Sequence, residues 1–230
     1  MEISDAPIAR VERTNDVLVL RDGRAVHMEG IRIPHASADR APGYIADQAF
    51  DAVSALAKGQ DLSVTAVAPK EDRYDRVRGQ VFGNEAWIQQ ALLLAGMARV
   101  DIAPDRTECA ADLYAAEGEA RAASRGLWAV PAYQVRTPDT LGADTGTFQI
   151  VQGTVFSAEV KDGRAYIDFG ADYKTDFTVT ISPEDMANFR SQSVDPRLYA
   201  GKTIRVRGIV QQFNGPEIEI ANPEQVEVLP

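Results

Sequence analysis

The spacing of apolar and polar positions divides the chain into two successive groups of elements. Residues 8–13, 16–21 and 24–31 alternate, the period-two pattern of half-buried strands, and Asp22-Gly23 supplies a hairpin turn between two of them. Ala46, Ala49, Phe50, Val53 and Leu56 recur at helical spacing, which predicts an amphipathic helix over 44–57 with Gly59 just past its end. β-like patterns return at 62–68 and 74–82. Asn84 offers an N-cap to a second helix, EAWIQQALLLAG, that stops at Gly96, and an alanine-rich third helix is expected over 108–124. Residues 148–157, 163–169 and 175–181 then alternate again, with Asp162-Gly163 as a second hairpin turn. Ser182-Pro183-Glu184 opens a short helix, and two or three further strands follow, broken at Asn214-Gly215-Pro216.

Between the two groups, residues 131–146 carry two prolines, two glycines and small polar residues, so they read as a linker or an ordered crossing segment. The expected organisation is therefore a first domain over 1–130 and a second over 147–230. Each runs strands, helix, strands, and the first has helices appended. The fold class is mainly β with α (α+β), built as two five-stranded oligonucleotide/oligosaccharide-binding (OB) barrels. No sequence repeat relates the halves.

Composition narrows the function. The net charge is −10, with 20 acidic against 15 basic residues in 1–130 and 14 against 9 in 131–230. Neither half has the basic footprint of a general nucleic-acid binder, so such binding is expected to be weak or absent. Cys109 is the single cysteine, which excludes an intrachain disulfide, and its alanine- and leucine-rich surroundings make it a small packed helix residue. No apolar run reaches the roughly 18–20 residues of a membrane span, and MEISDAPIAR has no signal-peptide core.

Three segments carry a resemblance. TNDVLVLRDGRAVHMEGIRIPH over 14–35, DRYDRVRGQVF from Asp72 and EARAASRGLW from Glu119 together resemble the thermonuclease-like (staphylococcal nuclease-like) family. In that family the first segment reads close to DGDT and then RLxGIDxPE. Here Gly30, Ile31 and Pro34 keep the frame while the chemical positions change. Leu127 and Trp128 are expected to pack the last helix against the barrel. GKTIRVRGIV, NGPEIEI and EQVEVL are similar to the closing strands of bacterial OB modules that accompany nucleases. Relatives are often exported, which favours the periplasm for a chain whose leader has been removed, and the cytoplasm otherwise.

The resemblance implies a phosphodiester-cleaving site with a bound Ca²⁺, two phosphate-binding arginines and a glutamate base. Carried over position by position, Asp16 matches the first metal carboxylate and Arg76 the second arginine. Asp72 and Tyr74 match a DxYGR frame in which Asp75 replaces the glycine. Three positions depart: His27 stands for the first arginine, Arg32 for the second metal carboxylate and His35 for the base. Arginine cannot ligate a cation, and one aspartate is too little for an ion that takes six to eight oxygen ligands. The remnant cleft Asp16, Arg76, His27, Arg32 and His35 is thus expected to be non-catalytic. Arg32 either pairs with Asp16 or joins Arg76 and His27 in holding an anion. Asp16, His27 and His35 form an alternative two-histidine, one-carboxylate site for a transition metal.

The strand pairs Arg76/Arg78 and Arg205/Arg207 read first as solvated faces. The aromatics Phe148, Phe156, Tyr166, Phe169, Phe177 and Phe213 read mostly as core, with Tyr173 at the surface. The leading functional reading is a non-catalytic, nuclease-like binding or scaffold protein with a protein partner and no cofactor. A phosphodiesterase with an altered site and a transition-metal protein are the alternatives.

Overall fold

A computed structural model describes residues 2–12, 17–59, 61–83, 86–172 and 174–230, which group into two compact units, Met1–Pro131 and Ala132–Pro230. The first unit runs β1 (Glu2–Glu12), β2 (Val17–Leu20), β3 (Ala25–Met28), β4 (Gly30–Arg32), α1 (Ala36–Asp39), α2 (Gly43–Ala57), β5 (Asp61–Thr65), β6 (Val77–Gly83), β7 (Ala86–Trp87), α3 (Ile88–Leu94), β8 (Arg99–Asp101) and α4 (Ala110–Ala122). Strand β1 is long enough to serve two neighbours. Its second half pairs antiparallel with β2 and its first half antiparallel with β5. β2 pairs antiparallel with β3, β3 parallel with β6, and β6 antiparallel with β5. The five pairings close a circuit β1-β2-β3-β6-β5, the curled sheet of an OB-like barrel.

Alternation fills that circuit. Val26 and Met28 of β3, Leu62 and Val64 of β5 and Val81 of β6 point inward. α2 covers the core with Ile45, Ala49, Phe50, Val53 and Ala57, all buried on one face of the helix. Burying each large apolar side chain contributes about 1.5–3 kcal/mol, which makes Phe50 and Val53 the anchors of this helix. After α4 the chain returns against the end of α3 at a pair of glycines. A Cβ on Gly126 (φ +53°) would lie 2.2 Å from the Gly96 carbonyl oxygen, and one on Gly96 (φ +67°) 2.2 Å from that of Arg125. Glycine lets the two backbones touch, and Leu127 N–H donates to the Gly96 carbonyl at 2.8 Å. Leu127 and Trp128 are buried behind this contact, with the Arg121 guanidinium over the Trp128 ring.

The second unit runs β9 (Phe148–Thr154), β10 (Ser157–Lys161), β11 (Arg164–Asp168), β12 (Thr178–Ile181), α5 (Met186–Ser191), β13 (Thr203–Phe213), β14 (Gly215–Glu219) and β15 (Val226–Val228). β9 pairs with β13 and β10 with β11, both antiparallel, so the two behave as halves of one bent strand. β11–β12 is antiparallel, β12–β14 parallel and β14–β13 antiparallel. This is the circuit of the first unit in the same order, with a helix again between the third and fourth strands. Asp162 (φ +51°) and Gly163 (φ +82°) both take the left-handed conformation that a two-residue hairpin turn requires.

Several sequence expectations shift. Residues 148–157 form two strands because the chain changes partner at Val155-Phe156, where the Val155 amide bonds Lys202 and the Phe156 amide bonds Asp168. The second helix starts at Ile88 instead of following Asn84, which lies outside the described residues; Ala86 and Trp87 instead pair with β6. The strand expected over 74–82 begins only at Val77. Residues 132–146 bond into the second unit. The Arg136 amide donates to the Ile150 carbonyl, its carbonyl accepts from the Gln152 amide, and Leu141 is buried in the second core. Phe148 and Phe177 are core, whereas Phe156 and Phe213 are 64% and 72% exposed, contrary to expectation. Tyr173 lies outside the described residues. Cys109 packs partly buried against the first core, and burial, aided by the charges of Glu108 and Asp112, pushes its thiol up. No helix among the described residues is long and apolar enough to cross a membrane.

Candidate functional site

The end of β3, β4, the loop before β6 and the start of β6 enclose an open cleft of about 610 Å³ in the first unit. Three expected site residues, His27, Arg32 and Arg76, line it. His35 does not: its ring stands edge-on to Phe50 at 6.1 Å, and its amide donates to Asp39 Oδ2 at 2.9 Å. Asp39 in turn holds Arg99 through a buried 2.8 Å contact, so the segment where the family places its base is organised around an internal ion pair. Asp16 lies outside the described residues, and with it the proposed Arg32–Asp16 pair.

Asp72 builds the loop that presents Arg76. Its Oδ1 accepts the amides of Tyr74 and Arg76, and its Oδ2 accepts Arg76 Nε at 2.6 Å. Burial alone would raise the Asp72 carboxyl, but the Arg76 guanidinium and the two amides hold it below the usual range. Asp75, at the frame's glycine position, has φ +58°. This is the left-handed region that glycine takes freely, and aspartate tolerates it better than most residues. The guanidinium groups of Arg73 and Arg76 each lie over the Tyr74 ring, 4.9 and 5.1 Å from its centroid.

Arg78, one turn of the pleat further on, is not on a solvated face. Its Nε meets Glu29 Oε1 at 2.6 Å and its Nη2 meets Glu29 Oε2 at 3.2 Å. Its other edge grips Asp105 at 2.7 and 3.0 Å. Asp105, then Glu29, raise the Arg78 pKa, and Arg78 in return holds the Asp105 carboxyl low. Glu29 is buried at the β3–β4 corner, and His27 Nε2 stands 3.9 Å from it. Arg32 reaches Asp101 of β8 at 3.7 Å. In the second unit, Arg205 and Arg207 both bind Glu227 of β15, so that pair likewise serves an internal carboxylate.

Among the described residues the cleft is charge-balanced: Arg32, Arg73, Arg76 and Arg78 line it with Glu29, Glu71, Asp72 and Asp101. Among the described residues no three His, Cys, Asp or Glu side chains converge as metal ligands. Among the described residues, Asp72, Glu29 and Asp101 each face an arginine, so these carboxylates are committed to internal cations. His27 lines the cleft, whereas His35 packs against Phe50. Sequence reasoning missed Glu29, Asp101 and Asp105. The one local signal was Glu29 itself, a charge set between the apolar Met28 and the frame glycine.

The sequence profile described as Staphylococcal nuclease homologue matches residues 25–130, which span β3 to the end of the first unit's buried Trp128 contact. A comparison with curated proteins finds no match. The closed circuit, the retained Gly30-Ile31 and Asp72-to-Arg76 frames and the profile agree, and residues 25–130 are a thermonuclease-like domain of the staphylococcal nuclease homologue family.

Proposed function

We propose that the protein is a non-catalytic, nuclease-like binding or scaffold protein that contacts a protein partner. The observation that carries this reading is the internal pairing of the cleft: Arg76 is held by Asp72, Arg78 by Glu29 and Asp105, and Arg32 faces Asp101. Nuclease chemistry of the family type needs the arginine at the Arg76 position directed at phosphate and carboxylates directed at a metal. Losing a transition-state stabiliser costs about 10²–10³-fold, and losing a general base about 10²–10⁴-fold. With Arg32 and His35 in those two places, the combined deficit is at least ~10⁴-fold. The second circuit, which repeats the strand order of the first, supports reading Ala132–Pro230 as a second OB-like barrel within the same scaffold.

Cleavage of a fluorescent single-stranded DNA with Ca²⁺ tests the reading, using wild type and Arg76→Ala purified in parallel. We expect no turnover above the buffer rate in either. Turnover in wild type that disappears in Arg76→Ala would establish the alternative, a phosphodiesterase with an altered site.

A further inference from the structure

The outward face of the second unit holds an open groove of about 400 Å³ across β11, β12, β14 and β13. Register sets its side chains in two transverse rows. Asp168, Thr178, Glu217 and Gln211 are successive partners in one row, and Tyr166, Thr180 and Glu219 in the other. Alternation puts both rows on the side opposite the buried Ile167, Val179 and Ile218. Phe213, 72% exposed, closes one end beside the Asn214 turn.

Three carboxylates meet one arginine here. Arg164 reaches Glu219 at 3.5 Å, a long contact between partly exposed groups. Asp168 accepts from Ser157 and Thr178, and Glu217 accepts from Thr180. Burial pushes the Glu217 carboxyl up, and the neighbouring charge of Glu219 adds to this even though Thr180 and Arg164 oppose it. The groove therefore repels anions and gains from an incoming cation. Its exposed ring and half-buried tyrosine offer faces on which a guanidinium or ammonium stacks, and its carboxylates offer charge-assisted hydrogen bonds. A nucleic acid would also find rings to stack on, but its phosphates would meet this local excess of negative charge and a net charge of −10.

We propose that this groove binds an extended, arginine- or lysine-bearing segment of a partner protein. Glu217 and Glu219 lie two residues apart on one face of β14, a spacing of roughly 6.7 Å. Alternate side chains of an extended peptide have the same spacing, so basic residues at positions i and i+2 face both carboxylates. The first unit's cleft takes no part, so this inference stands or falls apart from the proposed loss of catalysis.

The test uses the full chain and a fluorescein-labelled Gly-Arg-Ser-Arg-Gly peptide, followed by anisotropy. Three folded variants are compared: Glu217→Gln/Glu219→Gln in the groove, Phe213→Ser at its end, and Asp51→Asn/Glu108→Gln on exposed positions of the first unit. We expect the groove pair to weaken binding about tenfold. Phe213→Ser, which changes no charge, should weaken it about threefold, and the distant pair should change it less than about twofold. Amide shift changes on adding peptide should fall within 164–168, 178–180 and 211–219. Equal losses in the groove and distant pairs would overturn the proposal, as would shift changes centred elsewhere. Tighter binding of an oligothymidine than of the peptide would assign the face to nucleic acid instead.

Discussion

Replacing Arg78 with methionine removes the cation that holds Glu29 while keeping a long apolar stem in place. The Glu29 side chain is 4% exposed and that of Arg78 16%, so solvent screens their contact little. Two unit charges about 4 Å apart at an effective dielectric of 20 interact by about 4 kcal/mol. Mutations that break a buried pair by removing one partner typically cost about 3–5 kcal/mol. Arg78 keeps some solvent exposure, and we expect a loss at the low end of that range, about 3 kcal/mol for Arg78→Met, or roughly 10 °C in the melting midpoint of a unit this size. The only two tryptophans, Trp87 and Trp128, both lie in the first unit, so intrinsic tryptophan fluorescence in urea follows that unit within the intact chain. A second variant completes the argument. Glu29→Gln/Arg78→Met removes the stranded charge as well and should recover at least about 1 kcal/mol relative to Arg78→Met alone. A single-variant loss below about 1 kcal/mol with an unchanged urea slope would refute the reasoning. So would a double variant no more stable than the single.

Four further outcomes are expected. Gly126→Ala should cost more than about 2 kcal/mol in the same urea assay, because its Cβ would press on the Gly96 carbonyl at a positive φ. Glu217 has a folded-state pKa raised above 4.5, mainly by burial, so its ionisation lowers stability as pH climbs past that value. Glu217→Gln should therefore raise the thermal midpoint at about pH 7.5 and leave it unchanged near pH 4, as read by circular dichroism. Binding to a mixed-sequence oligonucleotide at about 150 mM salt should be weaker than about 1 µM, as measured by anisotropy. Expressed alone, Met1–Pro131 should keep the cooperative tryptophan-monitored transition; a non-cooperative fragment would show that the two units share a core.

Local pattern carried the framework further than it carried the site. α2 was legible to within one residue because its apolar face and the following Gly59 are both local signals. The Asp162-Gly163 turn was legible because the two residues themselves set the backbone. What alternation does not reveal is a change of partner in mid-strand, which is why 148–157 read as one run although β9 ends at Thr154 and β10 starts at Ser157. Ala86 and Trp87 fit a helical pattern as well as a strand, and only pairing with β6 decides between them. At the cleft, the substitutions at His27, Arg32 and His35 were visible in the frame, but their consequences were not. Glu29 and Asp105 lie 49 and 27 residues from Arg78 in sequence. A carboxylate brought in by the fold from that distance leaves no mark near the arginine it neutralises.

The parallel third-to-fifth strand pairing sets a constraint on biosynthesis. β12, with the sequence TVTI, ends at Ile181, but the strand that covers one of its edges, β14, ends at Glu219. At about 5–20 residues per second, the ribosome takes ~2–8 s to supply it. Throughout that interval a β-branched strand presents an open edge able to accept a foreign strand. In the first unit β3, ending at Met28, waits for β6, ending at Gly83, in the same way. Codons that slow translation between 182 and 214 would lengthen the exposure of TVTI, and the yield of soluble protein would fall with no change to a single residue of the finished fold.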